Sequence, residues 1–297
     1  MPIPEWGGLL PVSRRKFLQG AAAATVLGAL AVGSDALVFE PNDPKVVRLE
    51  VSIKRMPEAF DGFTVAQLSD FHYGELCAIP IRKAVEIVKK LQPDMVVLTG
   101  DFITVPLWSH FLHDKSQPAN DAEPCTRMLR ELRPPAGMFA ALGNHDVNSD
   151  GRWITEIIES NGIPVLRNRS IPIEKEGARF WLAGVDDVLE GKPDLDLTLH
   201  AVPSGEPVIL LAHEPDFADQ ACRYPIDLQL SGHSHGGQIW LPVVGAPWLP
   251  PLGREYPRGL RKVGNLSLYT NIGLGTIRLP VRLNCPPEIT LLTLRSA

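Results

Sequence analysis

Seven polar residues with side chains suited to binding metal occur in short turns, each following an apolar run of the sequence. The pattern is clearest at residues 231–238, where His233 and His235 lie between glycines, directly after the apolar run 226–230. We interpret this stretch as a strand ending in a tight turn that directs two imidazoles into the same space. Four similar turns contribute the other candidates: Asp70, His72, Asp101, Asn144 and His213.

The candidate set consists of carboxylates, imidazoles and one amide, and it contains no thiol. Oxygen and nitrogen donors of this mixture suit Mn²⁺, Zn²⁺, iron or Mg²⁺ and disfavour Cu⁺. One ion needs only about three or four protein ligands, so the set is large enough for two ions that share a carboxylate. Two ions roughly 3.5–4 Å apart can activate water and hold a phosphoryl group. The set therefore predicts a binuclear metal site.

Each residue also has a simpler interpretation when it is taken alone. Asp70 could cap a helix, because Asp is a favoured N-cap residue. His213 could be an ordinary buried or surface histidine, and Asn144 could be a turn residue after a glycine. The metal hypothesis depends on the whole set and on the strands that precede its members.

The elements that must position these turns alternate between strands and helices. Residues 63–68 and the continuous apolar run 95–98 predict strands, and apolar residues at helical spacing from Ile81 to Leu91 predict an amphipathic helix between them. Further strands are predicted at residues 47–53, 137–142, 163–166, 179–186, 207–211, 226–230, 266–271 and 288–294, and further helices at 122–132 and 153–161. In such an α/β pattern, ligands bind at the carboxyl edge of a sheet.

The order of the motifs resembles that of the calcineurin-like binuclear metallophosphoesterases. The matching blocks are Asp-x-His, Gly-Asp, Gly-Asn-His-Asp, His and Gly-His-x-His, between residues 69 and 238. The resemblance implies an α/β fold, namely a four-layer αββα sandwich of two mixed β-sheets flanked by helices. Within the family, the sequence resembles the bacterial phosphodiesterases that are exported by the twin-arginine pathway.

The resemblance also implies a role for each candidate in a site with two divalent ions. The implied ligands of the first ion are Asp70, His72, Asp101 and His235. The implied ligands of the second ion are Asp101, Asn144, His213 and His233, with Asp101 as the bridge. A hydroxide between the ions would attack phosphorus. His145 is implied to donate to a phosphoryl oxygen or the leaving group, with Asp146 orienting its ring.

Composition narrows the classes of function. The 297 residues carry a formal net charge of −5, so a basic surface for sequence-independent nucleic-acid binding is not expected. No Cys-x-x-Cys pair occurs among the four cysteines, which excludes a structural zinc ribbon. If the chain is exported, its four cysteines could form one or two disulfides, but their spacing in the sequence does not determine which cysteines pair.

The N-terminal residues predict an export signal. Arg14 and Arg15 precede an apolar run at residues 20–32, as in a twin-arginine signal. This run is short for a membrane span, which needs about 20 residues. The chain is therefore divided into a signal segment, a linker and a metallophosphoesterase domain at residues 1–36, 37–44 and 45–297. We expect a location in the periplasm or cell envelope, with anchoring by an uncleaved signal as an alternative.

The expected activity is that of a metal-dependent phosphohydrolase acting on a phosphodiester or on a lipid-linked or nucleotide-linked phosphate. The Asp101 turn lacks the Asp-Arg-Gly element of many related serine/threonine phosphatases, which disfavours a protein phosphatase. A broad-specificity phosphomonoesterase and a non-catalytic metal-binding envelope protein are the alternatives.

Two segments rich in Trp, Leu and Pro, at residues 106–112 and 239–252, either form an apolar rim for an acyl chain or a membrane surface, or pack as loop cores. The sequence does not predict an oligomeric state.

Overall fold

Two mixed β-sheets form the centre of the protein. The computed structural model describes residues 13–74, 77–105 and 118–297. Helices within these ranges are α1 (Arg14–Ser34), α2 (Ala78–Leu91), α3 (Ala122–Leu129), α4 (Asn144–Ser160), α5 (Leu195–Leu199) and α6 (Ala218–Ala221). Strands within them are β1 (Lys45–Ile53), β2 (Thr64–Leu68), β3 (Met95–Thr99), β4 (Met138–Ala141), β5 (Arg169–Lys175), β6 (Ala178–Gly184), β7 (Val208–Leu211), β8 (Leu228–Ser231), β9 (Gly259–Val263), β10 (Leu266–Thr270) and β11 (Glu288–Ser296).

The strand order places the ends of the central parallel strands at one edge of each sheet. The first sheet has the order β1-β11-β2-β3-β4 and the second β5-β6-β7-β8-β10-β9. Strands β2, β3 and β4 are parallel, and β11 is antiparallel to β2. In the second sheet β6, β7, β8 and β10 are parallel, while β5 and β9 are antiparallel edge strands.

Three apolar clusters hold the layers together. Val65 and Val97 of the first sheet meet Ile209 and Leu211 of the second in the cluster between the sheets. A second cluster joins the outer face of the first sheet to α2, α3 and α4. The third covers the outer face of the second sheet with α5 and α6. This arrangement confirms the predicted four-layer αββα sandwich of two mixed sheets.

Several local elements differ from the sequence-based prediction. Residues 163–166 form no strand, and only Val165 makes an isolated bridge, to Ala140. Two antiparallel edge strands, β5 and β9, were not predicted, because many of their side chains are exposed and charged. Helix α4 begins at Asn144 rather than near residue 153, and Asp150 interrupts its helical backbone with φ −153° and ψ 83°.

The N-terminal helix is longer than the apolar run suggested. Helix α1 has 21 residues, and none of them is buried. At about 1.5 Å per residue its length is close to the roughly 30 Å of a bilayer core. Together with the helical turns that continue it to Asn42, α1 is the one helix in the described ranges long and apolar enough to cross a membrane. Residues 37–42, predicted as linker, belong to those turns.

Candidate metal centre

All seven candidate ligands lie immediately after a strand, at the carboxyl edges of the two sheets. Asp70 and His72 follow β2, and Asp101 follows β3. Asn144 follows β4 and begins α4, His213 follows β7, and the pair His233 and His235 follows β8. Six of the seven are buried, and Asn144 is half-buried. The fold therefore brings the whole predicted set to one place between the sheets.

Five members of the set share a left-handed backbone with φ between 43° and 68°, namely Asp70, His72, Asp101, His233 and His235. This conformation costs a non-glycine residue on the order of 1–3 kcal/mol and concentrates at functional sites. The strain indicates that the backbone of these turns is determined by the required positions of the side chains and not by the backbone's own conformational preference.

Glycines next to the candidate ligands allow the turns to approach one another. A Cβ added to Gly232 would lie 2.0 Å from Ser69 Oγ and 2.3 Å from Asp70 Oδ2. A Cβ on Gly143 would lie 2.3 Å from Asp101 Oδ1. A larger residue at Gly232 would push the turns of the two sheets apart, and one at Gly143 would separate the turns after β3 and β4 within the first sheet.

One group of ligand atoms is formed by Asp70, His72 and His235. The Nε2 atoms of the two histidines are 3.0 Å apart. Asp70 Oδ1 lies 3.3 Å from His235 Nε2, and Asp101 Oδ2 lies 3.4 Å from His72 Nε2. The backbone N–H of His233 donates to Asp70 Oδ1 at 2.9 Å, so the turn after β8 also fixes this carboxylate.

A second group is formed by Asp101, His213 and His233, with Asn144 beside it. Asp101 Oδ2 lies 3.2 Å from His213 Nε2, and Asn144 Oδ1 lies 3.0 Å from His233 Nδ1. Asp101 Oδ2 thus reaches both groups, while Asp101 Oδ1 accepts the backbone N–H of His145 at 2.9 Å. This carboxylate occupies the position expected of a bridging ligand.

The hydrogen bonds around the imidazoles leave lone pairs facing one another. His213 Nδ1 donates to the carbonyl of Thr99 at 2.6 Å, and His233 Nε2 donates to that of Pro251 at 2.8 Å. When these rings are neutral, their other nitrogens are acceptors, and His213 Nε2 lies 3.2 Å from Asp101 Oδ2. Two acceptors this close repel each other unless a proton or a metal ion lies between them. The residues therefore fit bound divalent metal ions.

Burial also keeps three of the rings neutral, namely the candidate ligands His233 and His235 and the neighbouring His145. It lowers the pKa of His233 to about 3 and that of His235 well below its usual value. Burial likewise lowers the pKa of His145 to about 4. Imidazoles bind metal ions only when they are neutral, so His233 and His235 are available as ligands near neutral pH. Burial also disfavours the charged form of His213, but the neighbouring carboxylates of Asp101 and Asp70 outweigh it and raise the pKa of His213 well above its usual value. A metal ion at His213 would therefore displace a proton.

His145 lies at the edge of this centre with a defined tautomer. The backbone N–H of Val105 donates to His145 Nδ1 at 2.9 Å, so the proton of the neutral ring is on Nε2. The ring lies edge-on to that of His72, with 4.9 Å between the ring centroids. Sequence reasoning did not identify Val105, because a backbone donor leaves no signal in residue type.

Asp146 has a different position from the one expected. Its carboxylate does not face the His145 ring but accepts four backbone N–H groups, from Asp101, Phe102, Ile103 and Gly143, at 2.9 to 3.3 Å. Burial and the neighbouring Asp101 raise the pKa of Asp146 to about 7, whereas the N–H donors favour the charged form. Asp146 therefore joins the turns after β3 and β4, and it orients His145 only through the backbone.

Comparison with known proteins agrees with this geometry. The sequence pattern of the family described as calcineurin-like phosphoesterase matches residues 63–237, which contain every candidate ligand. The chain belongs to this family. It is 36% identical to an uncharacterized metallophosphoesterase of Bacillus subtilis, YkuE, over 96% of this chain and 98% of the relative. It is 32% identical to phosphodiesterase YaeI of Escherichia coli, over 95% of this chain and 99% of the relative.

A vertebrate relative carries the same kind of domain in a longer chain. The chain is 32% identical to a transmembrane protein with metallophosphoesterase domain of Danio rerio, over 96% of this chain and 65% of that protein.

A cavity of about 350 Å³ opens over the metal centre of this metallophosphoesterase. Its polar end is formed by Asp101, Asn144, His145, His233 and His235. The rest of its wall is mostly apolar and includes Leu189, Ile239, Trp248, Pro250, Ile277, Leu279 and Val281. The guanidinium of Arg278 stacks on the Trp248 ring at 4.5 Å from its centroid.

The two apolar segments singled out in the sequence have different outcomes. Part of residues 239–252 lines the cavity, through Ile239, Trp248, Pro250 and Pro251. Residues 106–112 lie outside the described residues. The opposite wall, at residues 277–281, was missed because that loop has neither periodicity nor a motif.

Each of the four cysteines is a free thiol, so the structure contains neither of the disulfides that the sequence left open.

Proposed function

We propose that this protein is a phosphohydrolase with two divalent metal ions that cleaves phosphodiesters. One observation carries the proposal: the seven donor residues lie in two neighbouring groups joined by Asp101, whose Oδ2 is 3.4 Å from His72 Nε2 and 3.2 Å from His213 Nε2. Several of them form the polar end of a cavity that also includes His145. The proposed ligands of the first ion are Asp70, His72, Asp101 and His235. Those of the second ion are Asp101, Asn144, His213 and His233.

Bound metal ions would lower the pKa of an attacking water and stabilise negative charge on the phosphoryl oxygens. The protein residues hold the reacting groups in place. Asp101 Oδ1 is already hydrogen-bonded to the His145 backbone, which fixes the histidine relative to the bridging carboxylate. His145 Nε2–H then donates to a phosphoryl oxygen or to the leaving group as negative charge develops there.

The cavity favours a diester over a monoester. Beyond its polar end the space continues along Ile239, Trp248 and Leu279, which leaves room for a second, apolar substituent on phosphorus. The name of the Escherichia coli relative, phosphodiesterase, supports the same assignment. We extend the proposal to lipid-linked phosphates, because an apolar wall gains free energy when it covers an acyl chain. A nucleotide-linked phosphate and a broad-specificity phosphomonoesterase are the competing assignments.

The proposal also includes the organisation and location of the chain. Residues 1–36 would act as a twin-arginine signal that leads the domain at residues 45–297 to the periplasm or cell envelope. The length of α1 and its lack of buried residues support retention at the membrane by an uncleaved signal. Fusion of the chain to a reporter that matures only after export, with Arg14 and Arg15 replaced by lysine as the comparison, tests the export route.

Turnover and metal content of the full-length protein test the activity. Purified protein loaded with Mn²⁺ or Zn²⁺ should hydrolyse bis(para-nitrophenyl) phosphate with a higher kcat/KM than para-nitrophenyl phosphate. The variant Asp101→Asn should lose activity and bound metal, whereas Asp43→Asn, at an exposed acid, should lose neither. Bound metal without turnover of any phosphoester would favour the non-catalytic alternative. Unchanged metal content in Asp101→Asn would refute the binuclear assignment.

A further inference from the structure

Three segments join into a continuous layer at the mouth of the cavity, and we call this layer the rim: residues 36–42, 238–248 and 277–285. Gln238 connects the last two of them. Its side chain accepts the N–H of Ile277 at 2.6 Å and donates to the carbonyl of Leu279 at 3.2 Å. Its backbone carbonyl accepts the N–H of Leu283 at 2.9 Å. The two segments therefore form a single wall.

The third segment of the rim is the chain that continues α1 into the domain. The carbonyl of Ala36 accepts the N–H of Arg282 at 2.9 Å. The Glu40 carboxylate accepts the N–H of Asn284 at 3.0 Å and also that of Cys285. The end of the apolar helix is thus hydrogen-bonded to the loop that forms one side of the cavity.

The rim carries an unusual amount of exposed apolar surface. Leu37, Val38 and Phe39 are exposed on the first segment, Val243 and Val244 on the second, and Leu279 on the third. Together with α1, the rim contains most of the large apolar side chains that are exposed in the described part of the chain. Contiguous apolar surface of this kind marks an interaction site.

The chemistry of the rim is that of a membrane interface. Arg258 stacks on Trp240 at 4.0 Å and Arg278 on Trp248 at 4.5 Å. Tryptophan is enriched at the level of lipid headgroups, and arginine can pair there with phosphate. The helix joined to the rim has the length of a membrane span. A bilayer accounts for both features at once, whereas a protein partner would account only for the exposed apolar surface.

We propose that the rim is a membrane-docking surface that holds the cavity mouth against the bilayer from which α1 emerges. An amphiphilic phosphoester then enters from the lipid phase, with its apolar chain along Ile239, Trp248 and Leu279 and its phosphoester at the metal centre. The substrate part of this proposal rests on the proposed function, whereas the docking part does not require any turnover.

Lipid quenching tests the docking part. The full chain, with Cys222→Ser to remove its least buried thiol, is reconstituted in vesicles of phosphatidylcholine and phosphatidylglycerol. A nitrobenzoxadiazole probe is placed at Val243→Cys or, as a matched control, at Leu197→Cys, which is exposed on α5. Spin-labelled phosphatidylcholine should quench the probe at position 243 and not at 197. Equal quenching at both positions overturns the proposal. A disulfide-linked dimer of Val243→Cys without quenching would overturn it too, by assigning the rim to a second copy.

A pair of substrates tests the lipid route. The wild-type protein is compared on para-nitrophenyl hexadecyl phosphate in those vesicles and on soluble methyl para-nitrophenyl phosphate. The double variant Val243→Asp/Val244→Asp should lose about tenfold in kcat/KM on the vesicle substrate alone, because aspartate is disfavoured at apolar membrane depth. Leu197→Asp should lose nothing on either substrate. An equal effect of the double variant on both substrates refutes the route. Failure to hydrolyse either substrate refutes the proposed function and leaves the quenching result as the test of docking.

Discussion

The backbone N–H of Asp101 donates to Asp146 Oδ2 at 2.9 Å, so the proposed bridging ligand is held by a second buried carboxylate. Asp146 also accepts the N–H of Gly143 and thereby ties together two turns from neighbouring strands. One side chain thus sets the distance between Asp101 on one turn and His145 on the other.

Replacement of this carboxylate by an amide should loosen both turns. In Asp146→Asn the NH₂ group would face backbone N–H donors that then lack an acceptor. We expect the free energy of unfolding to fall by about 2 kcal/mol, the usual cost of buried unsatisfied groups. Chemical denaturation measures this change. Asp150→Asn on the same helix is the control, because its carboxylate caps Trp153 N–H and asparagine caps equally well. Equal stability of the two variants would contradict the assigned role.

Removal of the His145 imidazole should separate hydrogen-bond donation to the phosphoryl group from metal binding. His145→Ala should keep its metal content and lose about 10²- to 10³-fold in kcat, the usual cost of removing one hydrogen-bond donor to developing negative charge. His200→Ala, at an exposed histidine that ends α5, should change neither quantity. Turnover and elemental analysis of the same samples provide the two readouts. Loss of metal from His145→Ala would mean that this residue is a ligand and not the hydrogen-bond donor to the phosphoryl group.

Chelation should destabilise the fold as well as stop turnover. Without ions, Asp70, Asp101 and the unpartnered His213 Nε2 remain buried close together. Bound ions at a hundred times their Kd stabilise a protein by about 2.7 kcal/mol per site. The chelator EDTA should therefore lower the Tm of the wild type, and added Mn²⁺ should restore it. The Tm of Asp101→Ala should not respond to EDTA; a response equal to that of the wild type would place the stabilising ions elsewhere.

A methyl group at Gly232 should separate the two sheets at the metal centre. The new Cβ would overlap Ser69 Oγ and Asp70 Oδ2, so the turns must move apart. We expect Gly232→Ala to lose most of its bound metal and at least about tenfold in kcat/KM, since misplacement of about 1 Å can cost still more. Gly74→Ala has no atom within 4 Å of the new Cβ and should behave as the wild type. Full metal content in Gly232→Ala would show that the turn can relax.

The sequence predicted the fold better than it predicted the surroundings of the ligands. Motifs such as Gly-His-x-His indicate the ligand type and the glycine spacing, and the hydrophobic pattern predicted the buried strand β3 to within one residue. Edge strands such as β9 were not predicted, because their leucine, arginine and lysine side chains face solvent and give no alternating hydrophobic pattern. The partner of Asp146 could not be predicted, because one carboxylate in a turn can accept from a ring or from the backbone. The cavity wall at Arg278 and Leu279 depends on contacts between distant segments.

The hydrogen bond between Ala36 and Arg282 bears on how the protein would be processed. Cleavage by a signal peptidase after Ala31 would leave this bond and the Glu40 contacts in the mature chain. Cleavage after Ala36 would remove the residue whose carbonyl accepts the Arg282 N–H, so that only the Glu40 contacts would still hold this wall of the cavity. The choice of cleavage site would then decide the shape of the mature enzyme's substrate entrance as well as its attachment to the membrane.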